Sequence, residues 1–152
     1  MTLFSNIVSS LPWPNEAGKR TSIGPVSGST ESQYLSELSK ATPLMIVITG
    51  TTAAAHTLAA ELPFFLDPSK EILLIPDWET LPYDNFSPHE DIISDRLKAL
   101  SRLPTLTDGV VIASITTLMH RLPPKHFIEA GVLSLSQGQH LDAQKFVRNL
   151  TR

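Results

Sequence analysis

Three short apolar runs alternate with two segments of helical periodicity through the middle of the chain. The apolar runs cover 44–49, 72–75 and 110–114, and continuous runs of this length are typical of strands buried on both faces. Amphipathic helices are predicted between them, over 52–62 and 88–103. Strand, helix, strand, helix, strand at this spacing predicts an α/β fold with a parallel sheet and right-handed crossovers.

The predicted helix over 88–103 carries its own start and stop signals. Ser87 is the expected N-cap, Pro88 takes the first helical position, and Glu90 completes a capping box. Pro104 is expected to end the helix. Loss of the Ser87 cap should then cost about 1 kcal/mol.

The two ends of the chain differ from its middle. Residues 1–29 are rich in proline, glycine and serine, which predicts a loosely ordered lead-in with one helical turn near 3–8. Thr30 and Gln33 form a second capping box, which opens a helix to about residue 40, and Pro63 is expected to end the helix that starts at 52.

From residue 127 onwards the pattern changes to a new strand with Val132, Leu133 and Leu135, then a helix capped by Asp142. We therefore predict a domain boundary near 127. The predicted organisation is a lead-in, one α/β lobe and the start of a small α+β domain, at 1–29, 30–127 and 128–152.

The connector between the second strand and the next helix holds three aromatic residues among prolines and acids. Because large rings left in water forgo burial, we expect Trp78, Tyr83 and Phe86 to pack inside the protein. The less favoured interpretation is that they stack on bases or contact a partner.

Composition narrows the classes of function. The 152 residues include no cysteine, which excludes disulfides and fits a reducing cytoplasm. The formal net charge of the chain is −3. The charge argues against tight DNA binding, so at most weak DNA binding is expected. A modest basic patch is conceivable, but a solvated helix face is the better interpretation for Arg96, Lys98, Arg102, Arg121 and Lys125. No apolar run approaches the ~20 residues that span a membrane.

A phosphate-binding loop would lie between the first strand and its helix. The pattern G-x-x-x-x-G-K-[ST] aligned on Gly50 puts its two glycines at Val47 and Thr52, its lysine at Ala53 and its hydroxyl at Ala54. All four defining positions are lost. We therefore expect a structural strand–helix turn, a degenerate phosphate loop without bound cofactor.

Other candidate chemistry is weaker still. An acidic group around His89 could bind a metal or transfer protons, but its spacing fits no known ligand pattern; it comprises Asp77, Glu79, Asp84, Glu90 and Asp91. Capping and loop shaping are the expected roles. The five histidines lack a common ligand spacing, and no serine lies in a G-x-S-x-G context.

The run DWETLPYDNFSPHEDIISDRL at 77–97 resembles the N-terminal region of the bacterial transcription-repair coupling factor family, and the resemblance extends more weakly over 43–150. The motif positions that carry it are Asp77, Trp78, Glu79, Pro82, Tyr83, Asp84, Ser87 and Pro88. The resemblance implies a RecA-like, P-loop-type lobe similar to UvrB, with a degenerate phosphate loop, followed by the start of an inserted UvrA-binding-type domain. Because only a few residues separate the helix from the third strand, the damage-probing hairpin of UvrB is not expected.

The resemblance also implies a function. In this family the full-length protein is an ATP-dependent DNA translocase that displaces stalled RNA polymerase and recruits UvrA. ATP and Mg²⁺ act in a motor that lies downstream, so this chain would be a non-catalytic N-terminal module with little or no UvrA binding of its own. The alternative is a small α/β enzyme with a ligand at the strand ends near Gly50, Asp77 and Ser114.

Overall fold

The computed structural model describes residues 12, 16–80, 83–131, 137–138, 140 and 142–150. Its strands are β1 (Leu44–Thr49), β2 (Glu71–Ile75) and β3 (Gly109–Ser114). Its helices are α1 (Thr30–Ala41), α2 (Thr52–Phe65), α3 (Glu90–Arg102), α4 (Ile115–Met119), α5 (Lys125–Gly131) and α6 (Ala143–Leu150), and a 3-10 turn spans Leu103–Thr105.

The three strands form one parallel sheet in the order β1-β3-β2. The last of the described strands is therefore central, and its first residue, Gly109, lies level with both Leu44 and Glu71. Gly109 has φ +145°, and a Cβ there would lie 2.3 Å from the Glu71 carbonyl oxygen, so this close approach requires glycine. The prediction of an α/β fold with a parallel sheet is confirmed; the more specific RecA-like assignment stays a prediction.

The sheet buries an apolar layer on each face, and every residue of β3 is buried. The first layer packs α2 on the sheet and comprises Ala55, Leu58, Leu62, Leu66, Val110 and Ile112. The second lies beneath α3 and comprises Leu73, Ile75, Ala99, Leu106, Val111 and Ala113. At about 25 cal/mol per Å² of apolar area, these two layers are the main stabilising term of the domain.

The expectation that β1 is buried on both faces is wrong. Met45 and Val47 pack against the first layer, whereas Ile46 and Ile48 on the opposite face are 64% and 54% exposed. The second layer draws its strand residues from β2 and β3 alone, so within the described chain this face of β1 has no helix over it. The apolar run therefore marks a half-buried edge strand.

The predicted N-cap of α3 is also wrong. The N-cap residue is His89, with φ −61° and ψ 142°, and its Nδ1 accepts a hydrogen bond from the Asp91 N–H at 3.3 Å. Pro88 precedes the cap, and Ser87 lies two residues before the cap. The helix begins later than the Ser-Pro pair indicates because the imidazole nitrogen takes the place of the serine hydroxyl.

Two further predictions of helix ends, at Thr30 and Pro63, are also wrong. Thr30 is the first helical residue of α1 rather than its cap, and the Ser29 side chain that precedes it makes no capping hydrogen bond. Pro63 lies inside α2, which continues to Phe65. Since a proline removes one amide donor and clashes backwards only, the last turn can still close, and the Leu66 N–H bonds to the Leu62 carbonyl at 2.9 Å.

The two ends of the chain are described in part. The Tyr34 hydroxyl donates to the Pro12 carbonyl at 2.6 Å, which ties the lead-in to α1, and burial raises the pKa of Tyr34. The predicted cap at Asp142 is confirmed, since Oδ1 accepts from the Gln144 N–H at 3.0 Å.

α5 runs through position 127, and its Ile128 is buried, so the domain boundary stays a prediction. The predicted helical turn at 3–8 and strand at 132–135 lie outside the described residues. No helix in the described part is long and apolar enough to cross a membrane.

Candidate functional site

The carboxyl ends of β2 and β3 bring three polar side chains together. Asp77 follows β2 after one proline, Ser114 is the last residue of β3, and Thr52 opens α2. Both hydroxyls donate to Asp77 Oδ2, from Thr52 at 3.3 Å and from Ser114 at 3.4 Å. Asp77 and Ser114, which the enzyme alternative named together with Gly50 as a ligand position at the strand ends, therefore contact each other directly.

Asp77 accepts further hydrogen bonds from its surroundings. The Thr116 hydroxyl donates to Oδ2, and the Trp78 N–H donates to Oδ1 at 2.8 Å. His120 Nε2 lies 3.6 Å from Oδ1. Burial raises the pKa of Asp77, but the hydrogen bonds from Thr116, Trp78 and Thr52 outweigh it, so the pKa lies below its usual value. The carboxylate is thus held in its charged form by donors of the protein itself.

The Ser114 hydroxyl belongs to the same hydrogen-bond network. Its Oγ lies 2.7 Å from Thr116 Oγ1 and 2.9 Å from Thr117 Oγ1, and it caps α4 by accepting from the Thr117 N–H at 3.2 Å. Among the described contacts His120 meets Asp77 and not Ser114, so no histidine is placed to activate this serine in the manner of a serine hydrolase. The described residues also contain no group of three or more metal-ligating side chains. The chemistry of the cluster is that of a hydrogen-bonded clasp joining two crossover turns.

The degenerate phosphate loop closes in the same way. Thr51 caps α2 by accepting from the Ala54 N–H at 3.2 Å, and the Thr52 hydroxyl is committed to Asp77. Gly50 has no positive φ, and a Cβ added there would touch nothing within 4 Å, so the turn does not depend on glycine. Val47 packs in the core layer, while Ala53 and Ala54 are exposed on the first turn of the helix.

A buried cation, Arg96, lies next to the clasp. The expectation that it belongs to a solvated helix face is therefore wrong for this residue. Its side chain is 1% exposed, Nη1 donates to the Pro76 carbonyl at 2.6 Å, and the guanidinium lies 4.7 Å from the centre of the Trp78 ring. Nε and Nη2 have no hydrogen-bond partner within the described part of the chain. Burial lowers the pKa of Arg96, and the nearby charge of Asp77 opposes that shift.

The sequence does hold a signal for this burial. Position 96 falls one turn after Ile92 and one turn before Ala99 and Leu100, so it lies on the apolar stripe of α3. A lone arginine on such a stripe is either exposed by a tilt of the helix or buried against backbone carbonyls and a ring. Here Trp78, supplied by the connector, makes burial the outcome.

The connector itself does not pack as expected. Only Trp78 is partly covered, whereas Tyr83 and Phe86 are 103% and 81% exposed, so their predicted internal packing is wrong. Glu79 and Tyr83 both have positive φ, at 58° and 76°, a backbone conformation that is uncommon for residues other than glycine. Pro82 lies outside the described residues.

The predicted acidic cluster is not assembled. Asp77 alone enters the clasp, and the other four acids are exposed along the connector and the start of α3: Glu79, Asp84, Glu90 and Asp91. Among the basic residues, Arg102 pairs with Glu71 through two nitrogens, at 2.9 and 2.7 Å. The hydrogen bonds of this pair raise the pKa of Arg102 and lower that of Glu71.

A separate groove of about 780 Å³ lies along the outer edge of β2. Its walls come from both faces of the sheet, with His56 of α2 on one side and Asp95, Lys98 and Ala99 of α3 on the other. Ile128 and Glu129 of α5 also contribute to its lining. This groove is distinct from the strand-end clasp, since neither Ser114 nor Thr52 contributes to it.

The fold and the clasp together define a class: a parallel α/β domain whose strand-end turns are closed by internal hydrogen bonds. No protein-family model matches the chain. It is, however, 37% identical to the transcription-repair-coupling factor of Escherichia coli (strain K12) over 130 residues, which is 84% of this chain and 11% of that protein.

Two further relatives agree. The transcription-repair-coupling factor of Haemophilus influenzae is 37% identical over 87% of the chain, and that of Myxococcus xanthus is 30% identical over 98%. The chain belongs to the transcription-repair coupling factor family, which confirms the resemblance found in the motif at 77–97. It spans about a tenth of the length of these curated relatives.

Proposed function

We propose that this chain is a non-catalytic module of a transcription-repair coupling factor. The observation that supports it best is the clasp at the strand ends. In parallel α/β folds a ligand lies at the carboxyl ends of the strands, and here Asp77, Thr52 and Ser114 satisfy one another in that place. Together with the lost phosphate-loop pattern, this favours a scaffold over a nucleotide site.

The role of the module within a longer protein rests on the family resemblance. In that role the full-length protein translocates on DNA with ATP and Mg²⁺, displaces stalled RNA polymerase and recruits UvrA. The present chain would carry none of the ATP chemistry and would bind DNA weakly at most. The alternative of a small α/β enzyme has no specific observation in its favour, because the groove lies along β2 rather than at the strand ends.

The direct test is nucleotide binding. Titration of the chain with a fluorescent ATP analogue and Mg²⁺ should show no saturable binding up to millimolar concentration, because the lysine and glycines of a phosphate loop are replaced. A protein with an intact phosphate loop serves as the positive control under the same conditions. A low-micromolar dissociation constant would contradict the proposal, since about −8 kcal/mol is beyond what a helix N-terminus alone provides.

A further inference from the structure

Within the part of the chain that the structure describes, the outer edge of β2 pairs with no strand and lies inside a groove. Among the described strands β2 pairs only with β3, so alternate backbone N–H and C=O groups along its other side face outwards. No proline or lysine lies within β2 to block pairing. The groove of about 780 Å³ follows this edge and is contacted by residues of both sheet faces, Ile72 and Leu74 on one and Leu73 on the other.

The charges on the α3 wall have a fixed order along the groove. Arg102 contacts Glu71 at the start of β2, while Arg96 contacts the carbonyl of Pro76 just past its end, so α3 runs antiparallel to β2. Asp95 therefore lies nearer the carboxyl end of β2, and Lys98 lies one helical turn nearer its start. Neither side chain has an ion pair within the part of the chain that the structure describes.

We propose that this groove binds an extended polypeptide segment that adds to the sheet as a fourth strand beside β2. Residues two apart on one face of a strand are about 6.6 Å apart, whereas Asp95 and Lys98 are separated by about 4.5 Å along the helix axis, a difference that the long Lys98 side chain can span. The partner therefore carries one base and one acid two residues apart on its α3-facing side. Its other face is apolar, because it meets the side of the sheet formed by Ile72 and Leu74. Strand addition of this kind takes affinity from the backbone and specificity from alternate side chains.

This inference does not depend on the proposed function, since the groove and the clasp share no hydroxyl or carboxylate. The probe is the capped, fluorescein-labelled peptide Thr-Val-Glu-Val-Lys-Val-Thr, measured by fluorescence polarisation on the full chain. Saturable binding with a dissociation constant below about 1 mM is expected. Absence of binding up to that concentration overturns the proposal.

The mode of binding is tested by methylating backbone nitrogens of the peptide in two sets, positions 3 and 5 or position 4. In a paired strand alternate amides face the neighbour, so one set should weaken binding more than about tenfold and the other should change it little. Equal effects of both sets exclude strand addition.

The site is tested by charge exchange. Lys98→Glu should weaken the Glu-Lys probe about two- to fivefold, the range of an exposed ion pair, and should favour a probe with lysine at both positions. Lys40→Glu on α1 makes the same change of net charge away from the groove and should leave both probes unaffected. Loss in both variants would make the interaction nonspecific. A concentration-dependent dimer that Lys98→Glu dissociates would assign the edge to a second copy of the chain and overturn the proposal.

Discussion

At the scale of single residues, the chain places one half-buried carboxylate, Asp77, and one buried guanidinium, Arg96, close to the end of β2. Asp77 is satisfied by hydroxyls and a backbone amide, whereas Arg96 makes one hydrogen bond and one contact with the Trp78 ring. Two of the Arg96 nitrogens lack partners within the described chain. Arg96 therefore stabilises the fold through packing and stacking, while the burial of its two unpaired nitrogens is destabilising.

Substitution of Arg96 separates these contributions. Arg96→Ala should lower the free energy of unfolding by about 2–4 kcal/mol, because it leaves a cavity under Trp78. Arg96→Met keeps most of the volume and removes the unpaired N–H groups, so its loss should be about 1–2 kcal/mol smaller. Urea unfolding of the three proteins gives the comparison. A methionine variant as unstable as the alanine variant would show that the charge itself is stabilising.

Asp77 predicts a dependence of stability on pH. Because its pKa in the folded protein lies below the unfolded value of about 3.9, the ionised carboxylate stabilises the fold above that pH. The stabilisation is lost as pH falls through the folded pKa. The difference in unfolding free energy between the wild type and Asp77→Asn should therefore be constant from pH 7 to 5 and shrink below about pH 4. A difference unchanged at pH 3 contradicts the assignment.

At the scale of elements, the order and type of helices and strands follow from periodicity, while their ends do not. The strands at 44–49, 72–75 and 110–114 were predicted within one residue, because apolar runs between polar turns are a strong signal. The predicted caps differ from the observed ones because several consecutive residues can act as an N-cap. The capping-box pattern favours Ser87, whereas the backbone becomes helical only after His89.

The corrected cap leads to opposite expectations for two neighbouring substitutions. Ser87→Ala should change stability by less than about 0.3 kcal/mol, since Ser87 lies outside α3. His89→Asp should increase stability by about 0.5–1 kcal/mol, because a carboxylate is a better acceptor for the first amides and complements the helix dipole. Thermal unfolding of both variants at neutral pH checks this. A destabilised Ser87→Ala would restore the original cap assignment.

At the scale of the whole molecule, the sequence predicts the parallel sheet and puts Asp77 and Ser114 at the ends of its strands, because parallel strands end at one edge. It did not predict that the side chains of Tyr83 and Phe86 are exposed, or that β1 exposes the apolar face formed by Ile46 and Ile48. Hydrophobicity states what a residue prefers to bury, and only tertiary geometry decides whether a neighbouring surface is present to cover it.

The predicted domain boundary near residue 127 leads to a prediction about UvrA binding. Residues 128–152 would supply one strand and one helix of the inserted domain, too few to bury a core of their own. Purified UvrA should therefore not be captured by this chain, but should be captured by a version that continues by about a hundred residues in the manner of its relatives. Equal capture by both would place the contact within residues 1–152.

The sheet order also governs how the protein can assemble while it is being made. Among the described strands β1 and β2 share no hydrogen bonds and each pairs with β3, and 33 residues separate the end of β2 from the start of β3. A ribosome adding about 5–20 residues per second leaves both strands unpaired until that last segment emerges. We therefore expect the described sheet to close only once Gly109–Ser114 has been made, so that a nascent chain that stalls earlier leaves both apolar strands without their common neighbour.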